Sequence, residues 1–311
     1  MKFDVSELKT FKDCGRKWEL SSRNAYHLRP KTTSPNLVFG TIFHECLHAL
    51  YAGTLKPEGP NVDLIIEQAQ KEMEGDTVAQ KVIKTMITGY YEGPYADDIA
   101  MYKVLDIERR FEFPIPALGN DSNGEPVLAC GSIDMITLLL GTNQIWGFEH
   151  KSCKNFRTNV YHMLDEQPKM YFMALRQIVD DYNAEHGTDY VVGGLIVNEV
   201  KKLSTKFEYS RRECVYTADQ QNRFYKELLN YGSQILYHKE RLEANTGNGD
   251  ASLPPQASYL KCAMCDYAPV CEQYGDAPVD LELLLDEFQE EFQVRDVDHL
   301  EEKMERKFDD E

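Results

Sequence analysis

Val127-Leu-Ala-Cys-Gly-Ser-Ile-Asp-Met-Ile-Thr-Leu-Leu-Leu140, Gly141-Thr142 and Asn143-Gln-Ile-Trp-Gly-Phe-Glu-His-Lys151 read as strand, turn and strand. A two-residue loop with glycine first suits a type II′ turn. That register sets Asp134 directly opposite Glu149, with β-carbons about 4.5–5.5 Å apart. Two carboxylates so placed repel, and only a cation or a shared proton makes the arrangement tolerable. Lys151, two residues beyond Glu149, projects from the same face. The grouping predicts a site for a divalent metal, and hard oxygen ligands favour Mg2+ or Mn2+ over zinc. Such an ion polarises a phosphoryl oxygen and activates water, while a neighbouring ammonium orients that water or stabilises charge growing on phosphorus. Phosphodiester hydrolysis fits this set. Taken alone, E-x-K is a short pattern, and Asp134 and Glu149 would equally serve as strand-surface residues neutralised by Lys151.

Outward from this hairpin, residues 105–115, 191–200 and 207–216 are rich in β-branched, aromatic and alternating side chains and are predicted strands. Within 5–20, Leu8, Phe11 and Trp18 recur at helical intervals, placing Cys14 on or just after a short helix. Further helices are predicted over 40–51, through most of 61–104 with interruptions near Gly75 and at Gly93-Pro94, over 168–182 and over 218–242. Residues 245–255 read as a polar loop. Leu281, Leu284, Leu285, Phe288 and Phe292 keep a helical stripe before a charged end from Asp296, read as a solvated tail in preference to a DNA mimic or partner-binding segment.

With 311 residues, 42% of them hydrophobic, the chain can bury one large core or two modest ones, which excludes a disordered protein. No apolar stretch approaches the roughly 20 residues that span a bilayer, and the start carries no apolar export segment, so no membrane partner and a cytoplasmic location are expected. A formal charge of −18 excludes a protein that coats nucleic acid indiscriminately. The charge is uneven: residues 276–311 hold 15 acidic and four basic side chains, whereas residues 1–31 hold eight basic and four acidic ones. A basic entry surface near Cys14 follows, with Lys12, Arg16, Lys17 and Arg23 available to track phosphates and Trp18 or Tyr26 to stack on bases. A solvated helix face and a buried Trp18 are the plainer alternative.

In a reducing compartment, clustered cysteines hold metal more often than they pair. Cys262, Cys265 and Cys271 form a C-x2-C-x5-C run that needs a fourth thiolate, and Cys14 lies far upstream. This three-plus-one spacing cannot make a local zinc knuckle; it predicts a fold that joins the two ends around an iron–sulfur cluster, with zinc the other thiolate-loving choice. Cys46, Cys130, Cys153 and Cys214 stand alone and are expected as small buried residues.

His44-Glu45-Cys46-Leu47-His48 is also a literal H-E-x-x-H, the zinc metalloprotease signature. Its extension fails, since Tyr51 stands where a glycine should and a third histidine is missing; Glu67 or Glu72 would have to complete the ligands. That reading also leaves the four cysteines and Glu149-His150-Lys151 unexplained.

Leu8-x2-Phe11-x2-Cys14-x3-Trp18, Phe39-Gly40-Thr41-x2-His44, Gly131-x2-Asp134, Glu149-x-Lys151, Gln167-x3-Tyr171 and the three terminal cysteines follow one another in this order. The series resembles the RecB-like branch of the PD-(D/E)xK nucleases, including the iron–sulfur exonuclease domains of AddB and of CRISPR-associated adaptation nucleases. The resemblance implies that His44, Asp134 and Glu149, with the main-chain carbonyl of His150, bind Mg2+ or Mn2+. It implies that Lys151 is the catalytic lysine, that Gln167 and Tyr171 contact the DNA strand, and that Cys14, Cys262, Cys265 and Cys271 hold a 4Fe-4S cluster. Two departures stand out: His150 fills a slot more often apolar or aromatic in the family, and Pro168 directly follows Gln167, where a first helical turn tolerates it.

The expected fold class is therefore α/β: a restriction-endonuclease-like (PD-(D/E)xK) core with a central mixed β-sheet flanked by helices, a helical insertion, and an iron–sulfur cluster joining the N- and C-terminal segments. Residues 1–275 are expected as a single nuclease domain, divided into a cluster segment (1–31), a helical region with the histidine motif (32–104), a catalytic sheet core (105–216) and a helix with the cysteine cluster (217–275); 276–311 form an acidic helix and tail. The activity implied is metal-dependent hydrolysis of DNA by a single-strand exonuclease, with a helicase or a recombination or replication protein as partner. The alternative from another class is a non-catalytic iron–sulfur module that binds DNA or partners a helicase. A retired site has no reason to keep Asp134, Glu149 and Lys151 together.

Overall fold

Period-two alternation becomes strand and period-3.6 patterning becomes helix almost throughout the computed structural model, which describes residues 1–244 and 253–295. In chain order these are β1 (Lys2–Phe3), α1 (Val5–Asp13), α2 (Gly15–Ser21), β2 (Leu28–Pro30), α3 (Pro35–Gly53), α4 (Val62–Glu72), α5 (Thr77–Tyr90) and α6 (Ala96–Met101). There follow β3 (Tyr102–Pro114), β4 (Leu128–Leu139), β5 (Gln144–Cys153), α7 (Asn159–Leu164), α8 (Glu166–His186), β6 (Val191–Lys201) and β7 (Tyr209–Cys214). The last are α9 (Ala218–Ala244), α10 (Tyr259–Cys262), α11 (Ala268–Tyr274), α12 (Leu281–Glu287) and β8 (Phe292–Val294).

Contacts divide the chain, read above as one domain, into two compact units: one from Ser34–Phe111 and Ser132–Asn222, the other from Met1–Thr33, Glu112–Gly131 and the residues from Arg223 on. In the first, the strand order is β3-β4-β5-β6-β7. β4 and β5 are antiparallel, β5 and β6 parallel, β6 and β7 antiparallel, so the sheet is mixed, as expected. The parallel step needs a crossover, and α8 supplies it. One sheet face carries Met135, Trp146, Phe148 and Ile196 against Phe43, Leu47 and Leu50 of α3 and Ile83 and Ile87 of α5. Each such buried side chain contributes about 1.5–3 kcal/mol. The other face receives α8; there Gly147 has no room for a side chain, since a β-carbon would clash with Leu195 and press on Ile133 and Leu175.

The hairpin keeps its predicted register, running from Leu138↔Ile145 to Met135↔Phe148. Its turn is longer than the two residues expected. Four residues, 140–143, separate the strands; Thr142 N–H donates to the Leu139 carbonyl and Gly141, at φ 76°, takes the third turn position. That positive φ is what a type II turn asks of its third residue. The interruption expected at Gly93-Pro94 is instead a π-helical turn, Tyr91–Tyr95, between α5 and α6. A shift to wider i→i+5 bonding accommodates the N–H that Pro94 lacks.

In the second unit β1 runs parallel to the start of β4 through Lys2↔Leu128 and Phe3↔Ala129. Cys14 directly follows the short helix α1, in line with the expectation, and stands extended at φ −165° before α2 begins. Leu28↔Val294 and Pro30↔Phe292 tie β2 antiparallel to β8. The stripe expected to run helically to Phe292 therefore ends as helix at Glu287, and Phe288 and Phe292 turn into a core with Leu20, Leu28, Tyr267, Val270 and Leu284. The polar loop's residues 245–252 and the charged end from Asp296 lie outside the described residues. No described helix is long and apolar enough to cross a membrane.

Candidate active site

Alternation along β5 puts Glu149 and Lys151 on one side and His150 on the other. Glu149 is 4% exposed. Burial pushes its carboxyl pKa up, as does the Asp134 charge beside it, while Lys151 and His44 oppose the rise. The Lys151 ammonium donates to Glu149 Oε1 and, at 3.0 Å, to Gln167 Oε1. Burial pulls the Lys151 pKa down, but the Glu149 and Asp134 charges outweigh it and hold it above the ordinary value. Asp134 Oδ2 accepts from the His150 N–H at 2.7 Å, and His44 Nδ1 lies 3.5 Å from the same oxygen. The structure thus draws His44, Asp134, Glu149 and Lys151 together from α3, β4 and β5.

Gln167, in the first turn of α8, couples the Q-x3-Y motif to this group: its Nε2 donates to Glu149 Oε1 at 2.9 Å and to the Tyr171 hydroxyl at 3.0 Å. Asp165 caps the helix by accepting from Gln167 N–H, so Pro168 falls where no intrahelical donor is needed. Tyr171 is 9% exposed, its ring edge-on to Phe111.

The chemistry of these donors fits a hard divalent cation. Glu149 Oε2 is buried and accepts no hydrogen bond, an arrangement that costs free energy unless a cation supplies the missing partner. Among the described residues no three His, Cys, Asp or Glu side chains are arranged to hold an ion as they stand, because Glu149 is turned onto Lys151 and Asp134 onto the His150 N–H. The protease reading gains nothing here: Glu45, Glu67 and Glu72 all point to solvent.

The His150 imidazole, 3% exposed, stacks on Tyr51 with ring centroids 5.8 Å apart. Asn198 Nδ2 donates to His150 Nδ1 at 3.1 Å and to the Tyr90 hydroxyl at 3.0 Å. Arg211 donates to Asn198 Oδ1 at 3.2 Å and binds both Asp98 oxygens at 2.6 Å; the Tyr51 hydroxyl donates to Asp98 at 2.5 Å. Burial first, then the charges of His44, Arg211 and Lys151, hold the His150 pKa well below the ordinary range, so the ring is neutral. Sequence reasoning singled out His150 but missed Asp98, Asn198 and Arg211; only Asn198, directly after Leu195-Ile196-Val197, stands out from an apolar run.

With this geometry in view, the profile of the PD-(D/E)XK nuclease superfamily matches residues 2–272. The chain belongs to that superfamily. Members of the PD-(D/E)XK nuclease superfamily generally use divalent metals such as Mg2+ or Mn2+. Among solved structures, an exonuclease candidate from Eubacterium rectale is similar at 12% identity and TM-score 0.46, over 90% of this chain and 91% of that one. The protein SSO0001 is similar at 12% identity and TM-score 0.30, over 75% of this chain and 97% of that one. No curated protein matches the sequence.

This superfamily member's four candidate cluster cysteines all belong to the unit that contains the N-terminus. Burial raises the Cys271 thiol pKa, Arg16 lowers it, and the charges of Cys14, Cys265 and Cys262 raise it. Backbone N–H groups of Gln256 and Ser258 donate to Cys14 and Cys262 sulfurs, each at 3.4 Å. Four thiols with N–H donors fit the chemistry of an iron–sulfur or zinc centre, although their present arrangement is not closed around an ion. Of the residues expected alone, Cys46, Cys130 and Cys214 are buried and Cys153 is half-buried.

The basic segment needs correction. Arg16 is fully buried, its Nε and NH2 donating to the Leu253 and Ala277 carbonyls at 2.8 Å each, so this guanidinium ties chain segments together and does not meet a phosphate. Trp18 is also fully buried, edge-on to Phe11 and donating to Glu7 Oε1 at 3.1 Å, which removes it as a stacking platform. Lys12 pairs with Glu227 at 2.5 Å and Arg23 with Asp4 at 2.6 Å, while Tyr26 donates to the Val279 carbonyl. Lys17 is half-buried.

Proposed function

We propose that this protein is a metal-dependent DNA nuclease of the cytoplasm that degrades single strands from an end. The observation that carries the reading is the buried, unpartnered Glu149 Oε2 beside Asp134, with Lys151 and Gln167 bonded to the same carboxylate. Asp134, Glu149, His44 and the His150 carbonyl would hold Mg2+ or Mn2+, which supplies Lewis acidity to the scissile phosphoryl group and the attacking water. Lys151 remains charged at neutral pH, so its ammonium can orient that water and balance negative charge growing on phosphorus. Gln167 restrains both Glu149 and Lys151 and passes the restraint to Tyr171 on the next helical turn; these two side chains and Lys17 are assigned to the DNA strand.

We assign Cys14, Cys262, Cys265 and Cys271 to a 4Fe-4S cluster of structural role, as the resemblance to AddB-type and CRISPR adaptation nucleases implies. An enzyme that consumes strand ends needs a source of unpaired DNA, and a helicase is the matching class of partner. The test is digestion of 5′- and 3′-labelled single- and double-stranded DNA with Mg2+ or Mn2+, comparing wild type with Lys151→Ala. Cleavage of single strands by wild type alone, abolished by chelator, is expected; equal cleavage by both proteins removes the assigned chemistry. Iron, acid-labile sulfide and visible absorbance lost in Cys265→Ala are expected for the cluster, and zinc in their place refutes it.

A further inference from the structure

Neighbouring arginines on β7 have opposite fates. Arg211 lies on the Asn198 and His150 side and is neutralised by Asp98. Arg212 faces the other side, since strand side chains alternate. Its NH1 donates to the Arg211 carbonyl at 3.2 Å, its Nε is buried without a partner, and among the described residues no carboxylate pairs with it. With only one main-chain acceptor and no carboxylate, this half-exposed guanidinium keeps its outer N–H groups open to an acceptor from outside the chain.

Register shows where that acceptor sits. Val197 pairs with Glu149 on one side and with Arg212 on the other. Glu149, Val197 and Arg212 therefore form one row on one sheet face, with Arg212 two strand spacings, about 9.5 Å, from Glu149. A cavity of about 400 Å³ opens beside Arg212, walled by Asn159, His162 and Met163 of α7 and by Glu213 and Cys214 of β7; Glu213 is exposed and, by alternation, belongs to the opposite sheet face from Arg212. His162 Nε2 lies 3.2 Å from fully buried Glu199 without making a hydrogen bond to it; Arg211 borders the cavity too, but its charge is matched by Asp98. Among the described residues Arg212 forms no ion pair, with Glu213 of the same wall or with any other carboxylate, and is the unmatched cation of the cavity.

We propose that Arg212 and this cavity form a subsite for a phosphate of the DNA strand neighbouring the one that is cut. The assignment rests on the nuclease reading above and adds to it the residue that holds the flanking backbone. A positioned backbone phosphate would present the scissile group to Glu149 and Lys151 by a bidentate, charge-assisted grip.

Two measurements on the full chain test this. Binding of a fluorescent single-stranded oligodeoxynucleotide is titrated across salt with Lys151→Ala protein, with and without Arg212→Gln. Loss of one phosphate contact lowers the slope of log K against log [salt] by about 0.7, and Arg212→Lys should restore that slope. Cleavage of oligonucleotides carrying one neutral methylphosphonate, moved a position at a time, is then compared in wild type and Arg212→Gln. At one position beside the scissile bond, wild type should lose roughly 10- to 100-fold in kcat/KM and Arg212→Gln less than about twofold, the signature of a coupled pair. An unchanged salt slope overturns the assignment, and so does a methylphosphonate penalty that persists in Arg212→Gln. If wild type cleaves no DNA yet the slope falls in Arg212→Gln, hydrolysis is refuted and the phosphate contact stands.

Discussion

Asp98→Ala should damage the sheet unit strongly although Asp98 is not among the candidate site's carboxylates. Asp98 is 2% exposed, takes both arms of Arg211 at 2.6 Å, and accepts from the Tyr51 hydroxyl. Burial raises its pKa, with Arg211 opposing, so the ionised form depends on that one guanidinium. Truncation leaves the Arg211 charge among Tyr90, Asn198 and Phe148, with only neutral acceptors. Removing one partner of a buried pair costs about 3–5 kcal/mol. With a urea m-value of about 2 kcal/mol/M, the unfolding midpoint falls by roughly 2 M. The chain's two tryptophans allow a clean assay: in a Trp18→Phe background, Trp146 reports alone, from the same unit as Asp98. Asp98→Ala/Arg211→Leu removes the stranded charge as well and should recover about 2 kcal/mol relative to Asp98→Ala. A midpoint moved by less than about 0.5 M, or a double variant weaker than Asp98→Ala, refutes the reasoning that this pair is held by mutual neutralisation.

Gln167→Ala removes bonds to Glu149, Lys151 and Tyr171 and should lower single-turnover cleavage about 10- to 100-fold, one charge-assisted bond being worth about 1.5–3 kcal/mol; an unchanged rate would deny Gln167 its coupling role. Glu7 is buried, and that burial pushes its pKa up to about 7 from 4.5. An acid raised in the folded state contributes most below its unfolded pKa, so stability is lost as pH rises from 4.5 to about 7, by about 3 kcal/mol. Glu7→Gln keeps an acceptor for Trp18, Ser22 and Asn24 and should remove that loss; denaturation curves for the two proteins that stay parallel from pH 4 to 8 would contradict it. Gly147→Ala forces a methyl group against buried Leu195 and should cost about 1–3 kcal/mol by urea unfolding, a cost that Leu195→Val partly relieves.

Local alternation made the strands legible to within a few residues: 191–200 was expected where Val191–Lys201 forms, and the hairpin register matched pair for pair. The turn length was not, because shortening both strands equally leaves the register unchanged, so no periodicity distinguishes a two-residue turn from a four-residue one. Arg16 was misread for another reason. Composition makes arginine a surface residue, and only carbonyls 237 and 261 positions away let it be buried. The Asp98–Arg211 pair, 113 positions apart, likewise leaves no local trace. Division into two units was hidden because one is assembled from three separate stretches of chain. At the candidate site, the acid pair and lysine were legible from strand parity, whereas the bonds joining Gln167 to both depend on how α8 packs on β5.

Parity also links the site to its scaffold. On β5, Glu149 and Lys151 face the candidate site while His150 enters the buried network; on β6, Glu199 pairs with Lys151 while Asn198 pairs with His150; on β7, Arg212 and Arg211 divide the same way. A one-residue slip of β5 would exchange these roles. It would bury the Glu149 carboxylate beside Tyr51 and Tyr90, where the nearby cation, Arg211, is already paired with Asp98, and would put a neutral imidazole on the face that now carries Glu149. The His150 network therefore does more than fill space behind the site. By accepting only the middle residue of Glu149-His150-Lys151, it makes the correct register the stable one, and the same register aligns Asp134, Glu149 and Arg212 along the path proposed for the strand.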